Sequence, residues 1–245
     1  PWVQHVNMDG TMKAEVTDFA GQPVKPKEAP QSMDVEIIKY LAHKGLLFSK
    51  EKYEHSYPHC WRCDTPLLNY ATSSWFVRVT EIKPEMLELA KGIHWSPTHI
   101  KEGRWGKWLE GARDWSISRQ RYWGEPFPVY YDDAGLVHEM GEDTLPHVLP
   151  DLDDFKPSPD GRSPLARLDH WARPTPGVYR ETDTMPGYAG SSWYFLRYMD
   201  PTNQTAFASP EAINYWQDVD LYVGGVEHAV GHLMYSRFWH KFLYD

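Results

Sequence analysis

The chain has 245 residues, 41% of them apolar and 24% charged, which suits one large or two small globular domains and argues against a disordered polypeptide. Its net charge of −9 argues against a freestanding nucleic-acid binder, since neutralising phosphates needs a basic face. No charge-free apolar run reaches the length of a membrane span, and the opening Pro1-Trp2-Val3, without Met or a basic start, reads as the interior of a longer polypeptide rather than a signal peptide.

From Val3 to Phe19 the residues alternate weakly about a turn at Asp9-Gly10, the pattern of a hairpin. Three prolines between Pro23 and Pro30 mark a linker. Val35, Ile37, Ile38, Leu41 and Ala42 then recur at helical spacing, with Ser32 and Asp34 suited to the start of a helix and Gly45 to its end. A turn carrying Cys60 and Cys63 follows; two cysteines are too few and too close for a disulfide framework, so a reducing cytoplasm is expected. Ala71 to Val79 reads as a strand. Pro84 to Lys91 reads as a short helix with proline in its first turn and Gly92 after it.

Ile100, Trp105, Trp108, Leu109 and Ala112 form another helical stripe. Between Lys101 and Arg121 six basic residues stand against three acids, whereas Asp132 to Asp160 holds nine acids against one lysine. The basic stretch can touch a phosphate backbone or simply be a solvated charged helix. Arg119 to Tyr131 turns into strands broken by Gly124, Pro126 and Pro128, and Asp132 to Thr175 is loop. Ser191 to Tyr198 fits a helix and a strand equally. Val219 to Val223 is a short apolar strand, Gly224-Gly225 a turn, and Glu227 to Tyr244 a helix.

This last strand, glycine pair and helix carry the most chemistry. A glycine pair admits a ligand close to the backbone, and free N–H groups at a helix start favour anions. In an open α/β sheet such a turn is where nucleotides bind, and Glu227 there can accept hydrogen bonds from ribose hydroxyls. A plain tight turn explains the glycines equally well. His228 and His232, four residues apart, fall on one helix face. They fit a metal pair, two surface histidines or a pocket wall; the zinc-protease glutamate is missing, Ala229 standing after His228.

The run Gly224-Gly225-Val226-Glu227-His228-Ala229-Val230-Gly231-His232 through Phe238 resembles the stretch of leucyl-tRNA synthetases that lines their adenylate and leucine pocket. Glu181-Thr182-Asp183-Thr184-Met185 and Ser191-Ser192-Trp193-Tyr194-Phe195-Leu196-Arg197-Tyr198 resemble that family's preceding block. Asp114-Trp115-Ser116-Ile117-Ser118-Arg119-Gln120-Arg121-Tyr122-Trp123-Gly124 is similar to the signature shared by the leucine, isoleucine and valine enzymes of class I. The front of the chain, from Val3-Gln4-His5-Val6 to Lys44-Gly45-Leu46-Leu47, resembles the tail of the editing insertion. His55 to Cys63 and Trp75-Phe76 lean towards isoleucine enzymes, but an Asp-Gln-x-Arg-Gly-Trp pattern is absent where Glu227 to His232 stand.

The resemblance implies an α/β fold: the second half of a Rossmann-type class I catalytic domain, preceded by connective-insertion segments of α+β character. It divides the chain into 1–50, the tail of the editing insertion; 51–125, a connective segment with the cysteine turn and the shared signature; and 126–245, the catalytic second half with an acidic loop. It implies ATP-dependent activation of leucine and its transfer to tRNA, with isoleucine or valine as alternative amino acids and a noncatalytic tRNA-binding module as the remote one. ATP and its ribose would lie against Gly224, Gly225, Glu227 and His228, with Mg2+ accompanying the phosphates. Tyr188, Ser191, Tyr194, His228 and His232 would surround the leucine side chain, and Arg119 and Arg121 would guide tRNA.

No residue is expected to serve as covalent nucleophile or acid–base catalyst, because such enzymes orient the carboxylate towards the α-phosphorus and stabilise phosphate charge. The HIGH-type and KMSKS phosphate signatures do not occur in these residues, so the 245 residues alone are expected to be inactive. Cys60 and Cys63 supply half of a tetrahedral zinc site. The leucine-type cysteine pair expected before Glu181 is replaced by Trp171-Ala172-Arg173-Pro174, so zinc needs a pair from elsewhere. A soluble monomer in the full-length form, in the cytoplasm and away from membranes, completes the expectation.

Overall fold

The computed structural model describes residues 3–61, 63–156, 158 and 160–244. The chain separates into two compact units, one built from residues 1–73 and 154–164, the other from 74–153 and 165–245.

In the first unit the expected hairpin is present as a turn rather than as strands. Val6 bridges Met12, Asn7 N–H donates to the Thr11 carbonyl at 2.8 Å, and Gly10 sits at φ +81. The Asp9 carboxylate accepts from the Thr11 N–H and hydroxyl at 2.9 and 2.6 Å, which holds its pKa below the usual carboxylate range. Helix α1 spans Ser32–His43, with Asp34 in its first turn and Gly45 just past its end. Its Tyr40 hydroxyl donates to Asp18 at 2.6 Å and its ring meets Phe19 edge-on at 5.3 Å, fastening the helix to the preceding turns.

The second unit begins with strand β1 (Phe76–Val77) and helix α2 (Val79–Ala90). The expected strand to Val79 is therefore cut short, and the helix starts five residues before Pro84. Asp114 explains the early start. Its Oδ1 accepts from the Thr80 N–H at 3.0 Å and hydroxyl at 2.7 Å, satisfying a donor that the first turn leaves open. A π-turn over Lys101–Trp105 runs into helix α3 (Gly106–Glu110). The Lys83 ammonium donates to the carbonyls of Glu110 and Ala112, each at 3.2 Å, at the end of α3. Of the expected stripe, Trp105, Leu109 and Ala112 are buried, whereas Trp108, at the edge of that face, is 45% exposed.

Strand β2 (Trp115–Ser116) pairs antiparallel with β1. Strand β3 (Glu125–Pro126) is followed by β4 (Val129–Tyr131) and β5 (Val137–Glu139). The segment expected as loop thus holds β5 and, among the described residues, two 3-10 turns and helix α4 (Asp169–Ala172); beyond it come β6 (Tyr179–Arg180) and β7 (Thr184–Met185). Strand β4 is the centre of a three-stranded sheet between β5 and β6, and β3 pairs with β7. A Cβ on Gly124 would sit 2.3 Å from the Met185 carbonyl, so only glycine allows β3 this approach to β7.

Short helices α5 (Tyr188–Ser191) and α6 (Tyr194–Arg197) resolve the ambiguity at 191–198 in favour of helix. Helix α7 (Pro210–Trp216) is capped by the Ser209 hydroxyl, which accepts from the Ala212 N–H. The expected strand at Val219 to Val223 does not form: residues 219–225 are non-regular, and Leu221 and Val223 are 80% and 85% exposed. A strand needs a neighbour for its N–H and C=O groups, and among the described residues none pairs with it. The expected helix from Glu227 is a 3-10 turn (Val226–Val230) followed by α8 (His232–Tyr244), interrupted at Gly231.

The core joins α2, the π-turn, α3, the 3-10 turn and α8. Val79, Met86 and Leu109 are fully buried in it, with Trp105, Trp115, Ala229 and Met234 around them. Lys241 of α8 adds an ion pair to Glu85 of α2 at 2.7 Å. Leu165, Trp171 and Ala172 make a smaller core against Tyr122 and Leu149. The fold is mixed in α and β content, and the sheets among the described residues are antiparallel. No helix among them is long and apolar enough to cross a membrane.

Candidate functional site

The segment after Gly225 brings three of the expected pocket residues together. His228 leaves the 3-10 turn and His232 opens α8, so the pair does not lie on one continuous helix; their rings meet edge-on at 5.9 Å. Tyr194 of α6 stacks on His232 at 4.8 Å. Tyr222, which the sequence reading did not single out, completes the group. Its ring stacks on His232 at 5.8 Å, and its hydroxyl lies 3.2 Å from both the Tyr194 hydroxyl and His232 Nδ1. The available signal was its place two residues before the glycine pair, in a segment that alternates apolar with polar residues.

A Cβ on Gly224 would stand 3.0 Å from the His228 ring and 3.1 Å from the Tyr222 ring, so the missing side chain lets both rings close in. Burial, followed by the neighbouring His228, pushes the His232 pKa down, which leaves this imidazole neutral at physiological pH. Its Nε2 is buried, and a hydrogen bond from the ring to the Ser192 backbone offsets part of the downward shift. Burial and the bond to Tyr194 push the Tyr222 phenol up, so its hydroxyl stays protonated.

Tyr188 belongs to a second aromatic group. It stacks with Trp115 at 5.8 Å and with Tyr235 at 5.7 Å, and those two stack on each other at 3.9 Å. Arg119 is tied to the same group: Nη2 donates to the Tyr188 hydroxyl at 3.0 Å, and Nη1 to the Ser118 carbonyl at 2.7 Å and the Ser116 carbonyl at 3.3 Å. The Arg119 guanidinium thus braces β2 against α5. Arg121 is exposed, with its carbonyl accepting from the Thr184 hydroxyl at 2.9 Å. Ser191 is exposed at the end of α5, while its neighbour Ser192 is buried and accepts from Trp239 Nε1 of α8 at 2.6 Å. Helix α8 thereby connects the two aromatic groups, carrying His232 into one and Tyr235 into the other.

The Glu227 carboxylate lies over Gly225, with 72% of the side chain exposed and Oε1 3.9 Å from His228 Nε2. A second carboxylate went unassigned in the sequence and is fully engaged. Glu181 Oε2 accepts from Trp75 Nε1 at 2.7 Å and the Tyr131 hydroxyl at 2.6 Å, and Oε1 accepts from the backbone N–H groups of Thr182 and Asp183 at 2.7 and 2.8 Å. Burial, with Glu181 adding, pushes the Asp183 pKa up; burial also raises that of Glu125, whose carboxylate lies against Gly190.

In the other unit, Cys60 and Cys63 flank a tight turn in which Cys60 N–H donates to the Thr65 carbonyl and Asp64 N–H to the Cys60 carbonyl, each at 2.8 Å. The bond between the Cys63 thiol and the Thr65 hydroxyl, 3.1 Å long, is the first cause of a lowered thiol pKa. Among the described residues no three His, Cys, Asp or Glu side chains come together as metal ligands, so this pair offers two donors of the four that zinc requires.

The family model of tRNA synthetases class I (I, L, M and V) matches residues 12–148. A leucine–tRNA ligase of Borrelia recurrentis is 54% identical over 136 residues, which are 54% of this chain and 16% of that protein. The leucine–tRNA ligase of Borreliella burgdorferi is 54% identical over 156 residues, 63% of this chain and 18% of the relative. The Agrobacterium radiobacter K84 agnB2 LeuRS, solved in a ternary complex with tRNA and LeuAMS, is 40% identical over 55% of this chain and 18% of its own, at a TM-score of 0.48. The matches thus span less than a fifth of the relatives' length. With more than half of its residues inside the matched model, the chain belongs to the class I tRNA synthetases (I, L, M and V).

Proposed function

We propose that this chain forms part of a leucine–tRNA ligase, which activates leucine with ATP and transfers it to the 3′ end of tRNA. The observation that carries the reading is the convergence of Tyr194, His228 and His232 directly beyond Gly224-Gly225. The 54% identity to leucine–tRNA ligases supports the choice of amino acid over isoleucine or valine. Aromatic and imidazole faces suit an enclosed aliphatic side chain, and a wall of this kind separates substrates that differ by one methylene by only about 1–3 kcal/mol.

In this reading the extended segment before Gly224 and the helices after it are the second half of a Rossmann-type domain, with ATP against Gly224, Gly225, Glu227 and His228. The backbone N–H groups of the turn would face its phosphates, with Mg2+ accompanying them. Tyr188 and Ser191 are assigned to the far wall of the leucine pocket. The exposed Arg121 faces tRNA phosphate, and Arg119 fixes the segment that presents it. Residues 1–50 are the tail of an editing insertion, and 51–125 the connective segment. Zinc does not fit the two thiols of Cys60 and Cys63 alone, and no step depends on it. A monomer in the cytoplasm is the expected setting.

Glu227 provides the test of the nucleotide site. In the complete natural polypeptide that carries this chain, Glu227→Ala removes a charge-assisted hydrogen bond worth about 1.5–3 kcal/mol. The KM for ATP in leucine-dependent pyrophosphate exchange is expected to rise about tenfold or more, with the KM for leucine little changed. An unchanged dependence on ATP removes Glu227 from the site.

A further inference from the structure

We propose that Arg180 and His147, which pack on the same Trp171, form a binding site for a phosphate group. The site shares no residue with the group around Gly224-Gly225, and only the tRNA arm of its test rests on the synthetase reading above.

Strand alternation makes the site. Tyr179, Arg180 and Glu181 run along β6 and just past its end, so their side chains alternate between the two faces of the three-stranded sheet. Tyr179 and Glu181 take one face: the Tyr179 hydroxyl donates to Asp133 at 2.9 Å, and the Glu181 carboxylate accepts from the Tyr131 hydroxyl at 2.6 Å. Arg180, opposite Tyr130 in register, takes the other face, away from both carboxylates. There its guanidinium lies over the Trp171 ring, 5.4 Å from the centroid, and the His147 ring meets the same indole at 5.7 Å. Trp171 is buried in the smaller core and gives the two groups a fixed floor.

Neither group has an acceptor. Arg180 Nε and His147 Nε2 are buried without a hydrogen-bond partner among the described residues. Burial alone lowers the Arg180 pKa, with no carboxylate opposing it, although nine acids stand between Asp132 and Asp160. Burial, and then Arg180 itself, push the His147 pKa down. A guanidinium keeps its charge inside a protein, and a part-buried charge without a counter-ion is unfavourable. Both residues keep part of their surface exposed, so an anion from solvent can reach them. A phosphate group suits the pair: the planar guanidinium fork donates to two of its oxygens, and its charge draws a proton onto the neighbouring imidazole.

The test follows the His147 ring in 1H–15N spectra of the histidine-labelled natural polypeptide, the ring being identified by its contact with Trp171. Inorganic phosphate at constant ionic strength is expected to move the His147 titration to higher pH by about one pH unit, since an anion beside the ring favours its charged form. In Arg180→Gln the titration should already lie higher without phosphate, and phosphate should barely move it. A tRNA-binding salt series then identifies the source of the group. If it is a backbone phosphate, Arg180→Gln lowers the slope of log affinity against log salt by about 0.7–0.9; if it is a free phosphate, the slope stays and the titration still responds. A wild-type His147 titration that neither phosphate nor tRNA moves overturns the proposal, and this measurement needs no variant to fold. A response to phosphate that survives in Arg180→Gln places the anion elsewhere and overturns it too. Wild-type protein that responds to phosphate but binds no tRNA contradicts the synthetase reading alone.

Discussion

Asp183 carries the clearest electrostatic cost in the second unit. It lies beside Glu181, whose two oxygens are already saturated by Trp75, Tyr131 and two backbone N–H groups, so the second carboxylate finds little solvation and a like charge close by. A carboxylate whose pKa is raised by folding binds more protons in the folded than in the unfolded state between the two pKa values. Stability then falls as pH climbs from the unfolded value near 3.8 through the raised one, and the loss is complete above it. Asp183→Asn is accordingly expected to raise the melting temperature at pH 7, by an amount that shrinks as pH approaches 4. A lower melting temperature at pH 7 would mean that the charge is needed where it sits. Glu181→Gln should act in the opposite direction, since it replaces an acceptor oxygen by a donor facing other donors. Neither role was legible in Glu181-Thr182-Asp183 as sequence, because Trp75 and Tyr131 reach Glu181 from 106 and 50 residues away.

At the scale of elements, local signals predicted α1 well and α2 poorly. Ser32, Asp34 and Gly45 lie within the helix or beside it, so its periodicity and its ends could be read together. Helix α2 is started by Asp114, 34 residues downstream, and a proline that reads as a first-turn residue stands in its interior instead. The segment 219–223 failed for a related reason. Its alternation is that of a strand, but strand formation depends on a neighbour, which no periodicity supplies. The sequence pattern put Gly224-Gly225 and the two histidines in one segment, while the geometry of the histidines came from the break at Gly231. The packing of α2, the π-turn and α8 gives the element-scale prediction. Trp105 is 1% exposed at the centre of this core, beside Trp95 at 5.6 Å. Trp105→Ala should cost about 3–5 kcal/mol in denaturant unfolding. A loss below about 1 kcal/mol would show that α2 and α8 do not rely on this core.

For the whole molecule, the resemblance was carried by three blocks in order, and the family match over residues 12–148 includes the shared signature from Asp114 to Gly124. The proposed amino-acid pocket lies at the other end of the chain, where Tyr194, Tyr222, His228 and His232 assemble beyond that matched region. A γ-branched side chain needs width further from Cα than a β-branched one, so leucine and isoleucine ask for differently shaped walls. The front of the chain, around Cys60 and Cys63, leans towards isoleucine enzymes in sequence, but lies in the unit that lacks these residues. Steady-state pyrophosphate exchange with leucine, isoleucine and valine, in the complete natural polypeptide, puts the central claim to its most direct test. Leucine is expected to give a kcat/KM at least about tenfold above either competitor, or about 1.4 kcal/mol; a higher value for isoleucine would contradict the assignment of this pocket to leucine.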